Sequence, residues 1–394
     1  MSDTAELPKI EQRDDRKTAA TVARIGSPYM DGQPVADFSL VRDILRTAPT
    51  RQAARGAERF KNMNPEHAPM PTLDGEPHKR RRGMVARFFT PKAMRDRYRG
   101  VMDRSTEQLI ARLRKTGRER LDIMSFQLAC DVTAEVLGLS DSPPESLSRH
   151  IRDTFDVMST LNPRPKNKYI RPIAKLYYIA RFYLLDIMPA MRRRKKNPQD
   201  DVISQLVAQN YPKQAIFMEC LSYGSAGMMT TREFIVMVVW HLFTNDDLRE
   251  KWMTGDEATQ FLILDEILRV DPIVTYLYRR AEGDFTAEDG REVKAGELYT
   301  LNIREANLDT SITGPNPNAI DLERAKRERM QSSWLSFGDG PHRCPGAQLA
   351  LHETRVFVDA LMRVPGIRLA EPPEILWSGT TYELRDGYVE CDKA

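Results

Sequence analysis

Cysteine is scarce in this 394-residue chain. The four residues, at positions 130, 220, 344 and 391, include no pair at the close spacing of a zinc or thiol-redox motif. That excludes a metal ribbon or a disulfide-stapled scaffold, and it points to a reducing compartment, the cytoplasm. Long apolar runs are also lacking. The stretch 220–245 is the most tempting, but Arg232 and Glu233 break it into pieces shorter than the ~20 residues a membrane span needs. The opening MSDTAELPKIEQRDDRK is polar and charged, so neither a signal peptide nor a membrane anchor is expected there. No internal repeat, low-complexity tract or glycine-rich phosphate loop is visible, which argues against a repeat array or a resident nucleotide-binding segment. Charge of one sign is missing as well: 59 Lys+Arg against 56 Asp+Glu leave +3, too mild for wholesale nucleic-acid binding. What remains is a chain 41% hydrophobic, enough to bury a large core.

Apolar residues recur at three-to-four spacing through 102–113, 123–137, 147–160, 173–194, 202–207, 214–243 and 258–270, which predicts helices. Strand signals are few. The stretch 292–303, with KAGELYTLNI after the AEDGRE turn, reads as a hairpin arm, and another pair is expected near 367–369 and 382–389. The segments 61–77 and 310–333 are Pro- and Asn-bearing and aperiodic, and loops that long usually serve a site. The run MRRRKKNPQDD at 191–201 reads as a solvated helix end and turn. No composition shift marks a boundary. The expectation is a single, mainly α domain over residues 1–394 with a minor β region.

The most informative segment is FGDGPHRCPGAQLALHE, residues 337–353. Its cysteine lies between glycine-rich turns and just ahead of an amphipathic run, so the sulfur sits near a helix N-terminus, where the backbone dipole favours a thiolate. Gly338, Gly340 and Gly346 permit a tight path and close approach of a flat ligand. A hydrolase reading, with Cys344 as nucleophile and His342 as base, leaves the glycine pattern without a role.

The set Phe337, Gly338, Gly340, His342, Cys344 and Gly346 resembles the cysteine-loop signature of the cytochrome P450 family, with every fixed position filled. The resemblance implies that family's fold, with haem b between a long central helix and the cysteine-loop helix. It makes Cys344 the thiolate ligand of the haem iron, puts Phe337 beside the ring and brings His342 towards a propionate. Three further segments, and one arginine besides, stand in the family's order. Glu266 and Arg269 match its Glu-x-x-Arg pair, a structural pair near the cysteine. Arg279, with Arg280 as the neighbouring alternative, matches an arginine that reaches a propionate. His78 and Arg82 match a helix whose i and i+4 side chains both meet propionates. Ala226-Gly-Met-Met-Thr230-Thr231 resembles the central-helix motif on the oxygen-binding side, but Met229 stands where the family usually has a carboxylate. Glu233, one turn on, is an alternative acid or an ordinary paired side chain. Ala319 likewise replaces an arginine that completes the Glu-x-x-Arg network in many members.

By implication the chain is a monooxygenase that uses O2 to hydroxylate, epoxidise or dealkylate a small organic substrate. Met229 gives weight to oxidative coupling, dehydrogenation or a peroxide-driven reaction instead. A haem sensor or electron carrier is the reading from another class. Electrons would come from a separate ferredoxin or flavodoxin, steered by Lys79, Arg80, Arg81, Arg87 and Arg343 on the cysteine face. Family position makes Met70, Ile273, Val274, Thr381 and Tyr382 the substrate contacts. The basic, tyrosine-rich region 155–182 reads either as a lid or as a solvated helix pair.

Overall fold

A computed structural model describes residues 32–158, 165–287, 290–330, 333–377 and 381–393. Helices dominate and the strands are short, as the periodicity predicts. The chain forms two compact units, each assembled from separate stretches of sequence.

One unit comprises the described residues within 32–55, 233–344 and 361–392. Its main sheet has four strands in the order Gln33–Val35, Leu298–Asn302, Tyr276–Ala281, Thr50–Gln52, and the first pair is parallel. Against it pack Val41, Ile44 and Leu45 of the helix Phe38–Arg46, together with Trp334 and Leu335. Asp37 starts that helix by accepting the Leu40 N–H at 2.8 Å. The helix Glu257–Val270 is capped by Asp256 and buries its whole second half.

The hairpin reading of 292–303 needs correction. Glu292–Val293 and Leu298–Asn302 are separate strands with a turn between them. The chain becomes helical at Ile303, because Asn302 accepts the Glu305 N–H and caps a short helix. Leu369 does pair with Val389, but Tyr382–Arg385 pairs with Glu374–Trp377 rather than with 367–369.

The other unit comprises the described residues within 56–232 and 345–360, together with residue 393. The helices Arg99–Thr116 and Leu121–Leu137 pack together, and the second is buried nearly all round. Two of the long helices foreseen are interrupted. Tyr183–Ile187 and Gly224–Met229 are π-helical turns within 171–196 and 213–244, and such bulges often mark functional positions. The aperiodic stretches also hold short helices, at Met70–Thr72, Thr310–Thr313 and Arg324–Arg327. The end of the basic run is not fully solvated. Arg194 is buried, donates to Asp141 at 2.6 Å and also pairs with Asp201, which explains why a charged side chain can leave water there.

Candidate active site

The cysteine loop is held by three independent ties. Gly338 and Gly340 adopt φ of +67° and +64°, a left-handed conformation that side chains resist. Gly340 also lies hard against the helix Phe38–Arg46: a Cβ there would overlap the Leu45 carbonyl oxygen and sit 2.9 Å from the Arg46 Cα. Asp339 accepts from the Arg46 Nε at 2.7 Å and from its own neighbour, the Gly340 N–H, at 2.7 Å. Upstream, the Asn307 carboxamide accepts the Leu335 N–H and donates to the Ser336 hydroxyl, which donates on to the Leu268 carbonyl.

The loop closes when Cys344 donates its N–H to the Phe337 carbonyl at 2.8 Å. Gly346 then opens the helix Ala347–Met362 by accepting the Ala350 N–H. Phe337, His342, Cys344 and Gly346 are all half-buried. The other three cysteines are buried, and burial pushes the thiols of Cys130 and Cys220 well up, which leaves them inert.

Glu266 and Arg269 form a bidentate pair at 2.8 and 2.9 Å, both fully buried. The arginine missing at Ala319 is replaced twice over. The Ala319 carbonyl accepts from Arg269 at 2.8 Å, and Arg324 supplies a second guanidinium, 3.5 Å from Glu266. Arg324 also donates to the carbonyls of Thr313, Asn316 and Ala319. Burial and the neighbouring Arg269 hold its pKa down.

Arg279 is buried and donates to Gln52 Oε1 at 2.7 Å, whereas Arg280, on the opposite face of the strand, reaches the Gly296 carbonyl. His78 is buried and Arg82 half-buried, one turn apart on the helix Gly75–Val85. Three of the cations next to them have acidic partners. Lys79 and Arg80 are exposed and pair with Glu76 and Glu66.

Arg81 is not a surface cation. It is buried, donates to Glu219 at 2.7 Å and to the carbonyls of Ala68 and Pro65, and lies under the Tyr211 ring. Glu219 in turn accepts the Met70 N–H at 3.0 Å. The pair thus fastens the loop 65–70 to the helix Lys213–Tyr223. Arg81→Met should strand the Glu219 carboxylate and cost ~3–5 kcal/mol, read as a lower thermal midpoint. The double variant with Glu219→Leu should recover part of that loss. An Arg81→Met protein as stable as the parent would contradict this assignment.

On the central helix, Ala226 is exposed, Met229 and Thr230 are half-buried, and Thr231 is buried. The first two lie in the π-helical turn, and the Thr230 hydroxyl donates back to the Ala226 carbonyl at 2.6 Å. Glu233 is neither a surface group nor a side chain held only by Arg232: it is buried and accepts the Leu384 N–H at 2.5 Å. The sequence reading missed a different acid, Glu353. It is fully buried, it is hydrogen-bonded to Thr231, and burial raises its pKa well above the carboxylate range. Its Oε2 has no hydrogen-bond partner among the described residues. Of the residues expected to contact substrate, Met70 and Ile273 are buried and Val274 bridges Thr381. Tyr382 lies in the strand Tyr382–Arg385.

Residues 262–364 match the sequence model of the family described as Cytochrome P450. Mycinamicin IV hydroxylase/epoxidase of Micromonospora griseorubida is 28% identical over 362 residues, which cover 88% of this chain and 82% of that protein. Vitamin D(3) 25-hydroxylase of Pseudonocardia autotrophica is 29% identical over 341 residues, covering 82% of this chain and 76% of its own length. Among solved structures, CalO2 superposes with a TM-score of 0.77 at 22% identity over 96% of both chains. P450BioI, in complex with an acyl carrier protein bearing hexadec-9Z-enoic acid, gives 0.76 at 20% identity over 98% of this chain and 99% of its own.

The chain belongs to the cytochrome P450 family. It is an oxidoreductase of the monooxygenase type, and the family's cofactor is haem b with O2 as co-substrate. The residues present suit that group: a single half-buried cysteine is presented by a rigid loop before a helix, while buried Arg279 and His78 belong to the class of donors that carboxylates require.

Proposed function

We propose that Cys344 ligates the haem iron as a thiolate and that the chain inserts one atom of O2 into a small organic substrate. The observation that carries this reading is the loop 337–346, whose anchors leave Cys344 half-buried while the other cysteines are sealed in the core. Thiolate haem, when bound, supplies the oxygen-activating chemistry. His78, Arg82, Arg279 and His342 are the proposed propionate partners, and residues 1–394 are read as one haem domain. Phe337 and Gly346 flank the ring. Ala226, Met229, Thr230 and Thr231 serve the oxygen side, and Met70, Ile273, Val274, Thr381 and Tyr382 contact substrate. The relatives' names cover hydroxylation, epoxidation and N-oxygenation, which supports oxygen insertion into a specialised metabolite.

Electrons come from a separate ferredoxin or flavodoxin. Lys79, Arg80, Arg87 and Arg343 are the exposed cations proposed to steer it. Among the described residues no helix is long and apolar enough to cross a membrane. Turnover under labelled dioxygen with such a partner should place one labelled atom in the product. Substrate consumed without label would sink this reading and favour the coupling or peroxide-driven alternative, for which Met229 speaks.

With no carboxylate at 229, Glu353 is the acid proposed to hold a proton at the Thr231 hydroxyl. Glu353→Gln should slow turnover and divert reducing equivalents to peroxide while leaving the haem spectrum unchanged. Unchanged coupling would remove Glu353 from proton supply. Its raised pKa has a second consequence. The stability gained from the neutral form is complete below the ordinary carboxyl range and is lost as pH rises through the raised folded value. The thermal midpoint of the parent should therefore fall relative to Glu353→Gln towards alkaline pH.

A further inference from the structure

Every large apolar side chain that stands exposed among the described residues lies between Met158 and Leu185. Tyr169, Ile170, Ile173, Leu176, Tyr177 and Leu184 follow a helical spacing along the outer face of the helix Arg171–Phe182 and its continuation. Ile173 and Leu176 are each 73% exposed. The opposite side of the helix is fastened down. Phe182 is buried, Arg181 donates to Asp153 at 2.7 Å, and the Thr154 hydroxyl meets the Tyr178 carbonyl. The stripe is therefore a fixed feature of the surface, and it is apolar where a solvated helix would be polar.

Its charge is equally one-sided. Between Asp156 and Asp186 the sequence holds six basic residues and no acidic one. Since the whole chain carries only +3, the remainder is net acidic. Lys166, Lys168 and Lys175 are exposed, with no acidic partner among the described residues. Lys168 lies 5.1 Å above the Tyr169 ring.

We propose that this stripe is a peripheral docking surface for an anionic lipid bilayer. Isoleucine and leucine would enter the acyl boundary, the tyrosines would lie at headgroup level, and the lysines would reach lipid phosphates. A second copy of the chain would bring the same cations face to face. A protein partner would have to supply a groove to receive a single convex helix, whereas a bilayer deforms around it.

The test is co-sedimentation of the full-length, haem-loaded protein with vesicles of phosphatidylcholine alone or equimolar phosphatidylcholine and phosphatidylglycerol. At low salt the protein should pellet with the mixed vesicles and poorly with the neutral ones, and added salt should release it. Ile173→Glu with Leu176→Glu should lower the bound fraction about tenfold. Lys168→Gln with Lys175→Gln should lower it on the order of twentyfold. Both pairs should retain the parental haem spectrum, and the salt dependence needs no variant. The proposal is overturned if the parent ignores the mixed vesicles at low salt. It also fails if light scattering shows a dimer that the Ile173→Glu, Leu176→Glu pair dissolves while vesicle binding is absent, or if an acidic protein alone is bound.

Discussion

Arg269→Ala should yield little or no folded, haem-binding protein. The substitution leaves the Glu266 carboxylate buried, facing only Arg324 at 3.5 Å and the Asp321 N–H at 3.0 Å. It also strips donors from the carbonyls of Pro317 and Ala319. Breaking a buried pair from one side costs ~3–5 kcal/mol, a large part of the ~5–15 kcal/mol that holds a protein together. Haem content after expression and the thermal midpoint are the readouts. Arg324→Ala should be milder, because the bidentate Glu266–Arg269 pair survives it. A double-mutant cycle between positions 269 and 324 should show coupling of ~0.5–3 kcal/mol. Strict additivity would mean that Arg324 is only a neighbour and not the third member of the network.

Gly340→Ala should be nearly as damaging, by a different route. A left-handed φ costs a residue with a side chain ~1–2 kcal/mol. The added Cβ also meets backbone, the Leu45 carbonyl and the Arg46 Cα, which cannot rotate away as a side-chain tip can. The loop must then lift from the helix Phe38–Arg46, weakening the Asp339–Arg46 pair and displacing Cys344. The expected result is a stability loss of ~3 kcal/mol or more and a reduced fraction of thiolate-ligated haem. Gly346→Ala serves as a comparison within the same loop. Equal, small losses at both positions would contradict the close approach assigned to Gly340.

The helices and the cysteine loop were legible because both are local. Three-to-four spacing marks a helix whatever covers it, and the loop's glycines, histidine and cysteine lie within ten residues of one another. What escaped the reading depends on distant partners. Arg81 looks like part of a solvated basic cluster until Glu219, 138 residues away, takes it out of water. Arg324 cannot be matched to Glu266 by spacing, since the loop between Ala319 and Arg324 decides which guanidinium arrives. Glu353 stands in an amphipathic run where a carboxylate is ordinary, and only its burial against Thr231 distinguishes it. The stripe from Tyr169 to Leu184 has the same periodicity as a buried helix, so the sequence alone does not tell which face stays open. Local capping also overrode a strand pattern at Ile303, where Asn302 starts a helix.

The central claim is thiolate ligation by Cys344. The most direct test is the absorption spectrum of the dithionite-reduced protein under carbon monoxide, taken beside Cys344→Ser. The parent should show the far-red Soret band of thiolate-ligated haem, and the serine variant should lose it. A parent band at the ordinary haem–carbonyl position, or the same band in both proteins, would contradict the assignment of Cys344 and the monooxygenase mechanism built on it.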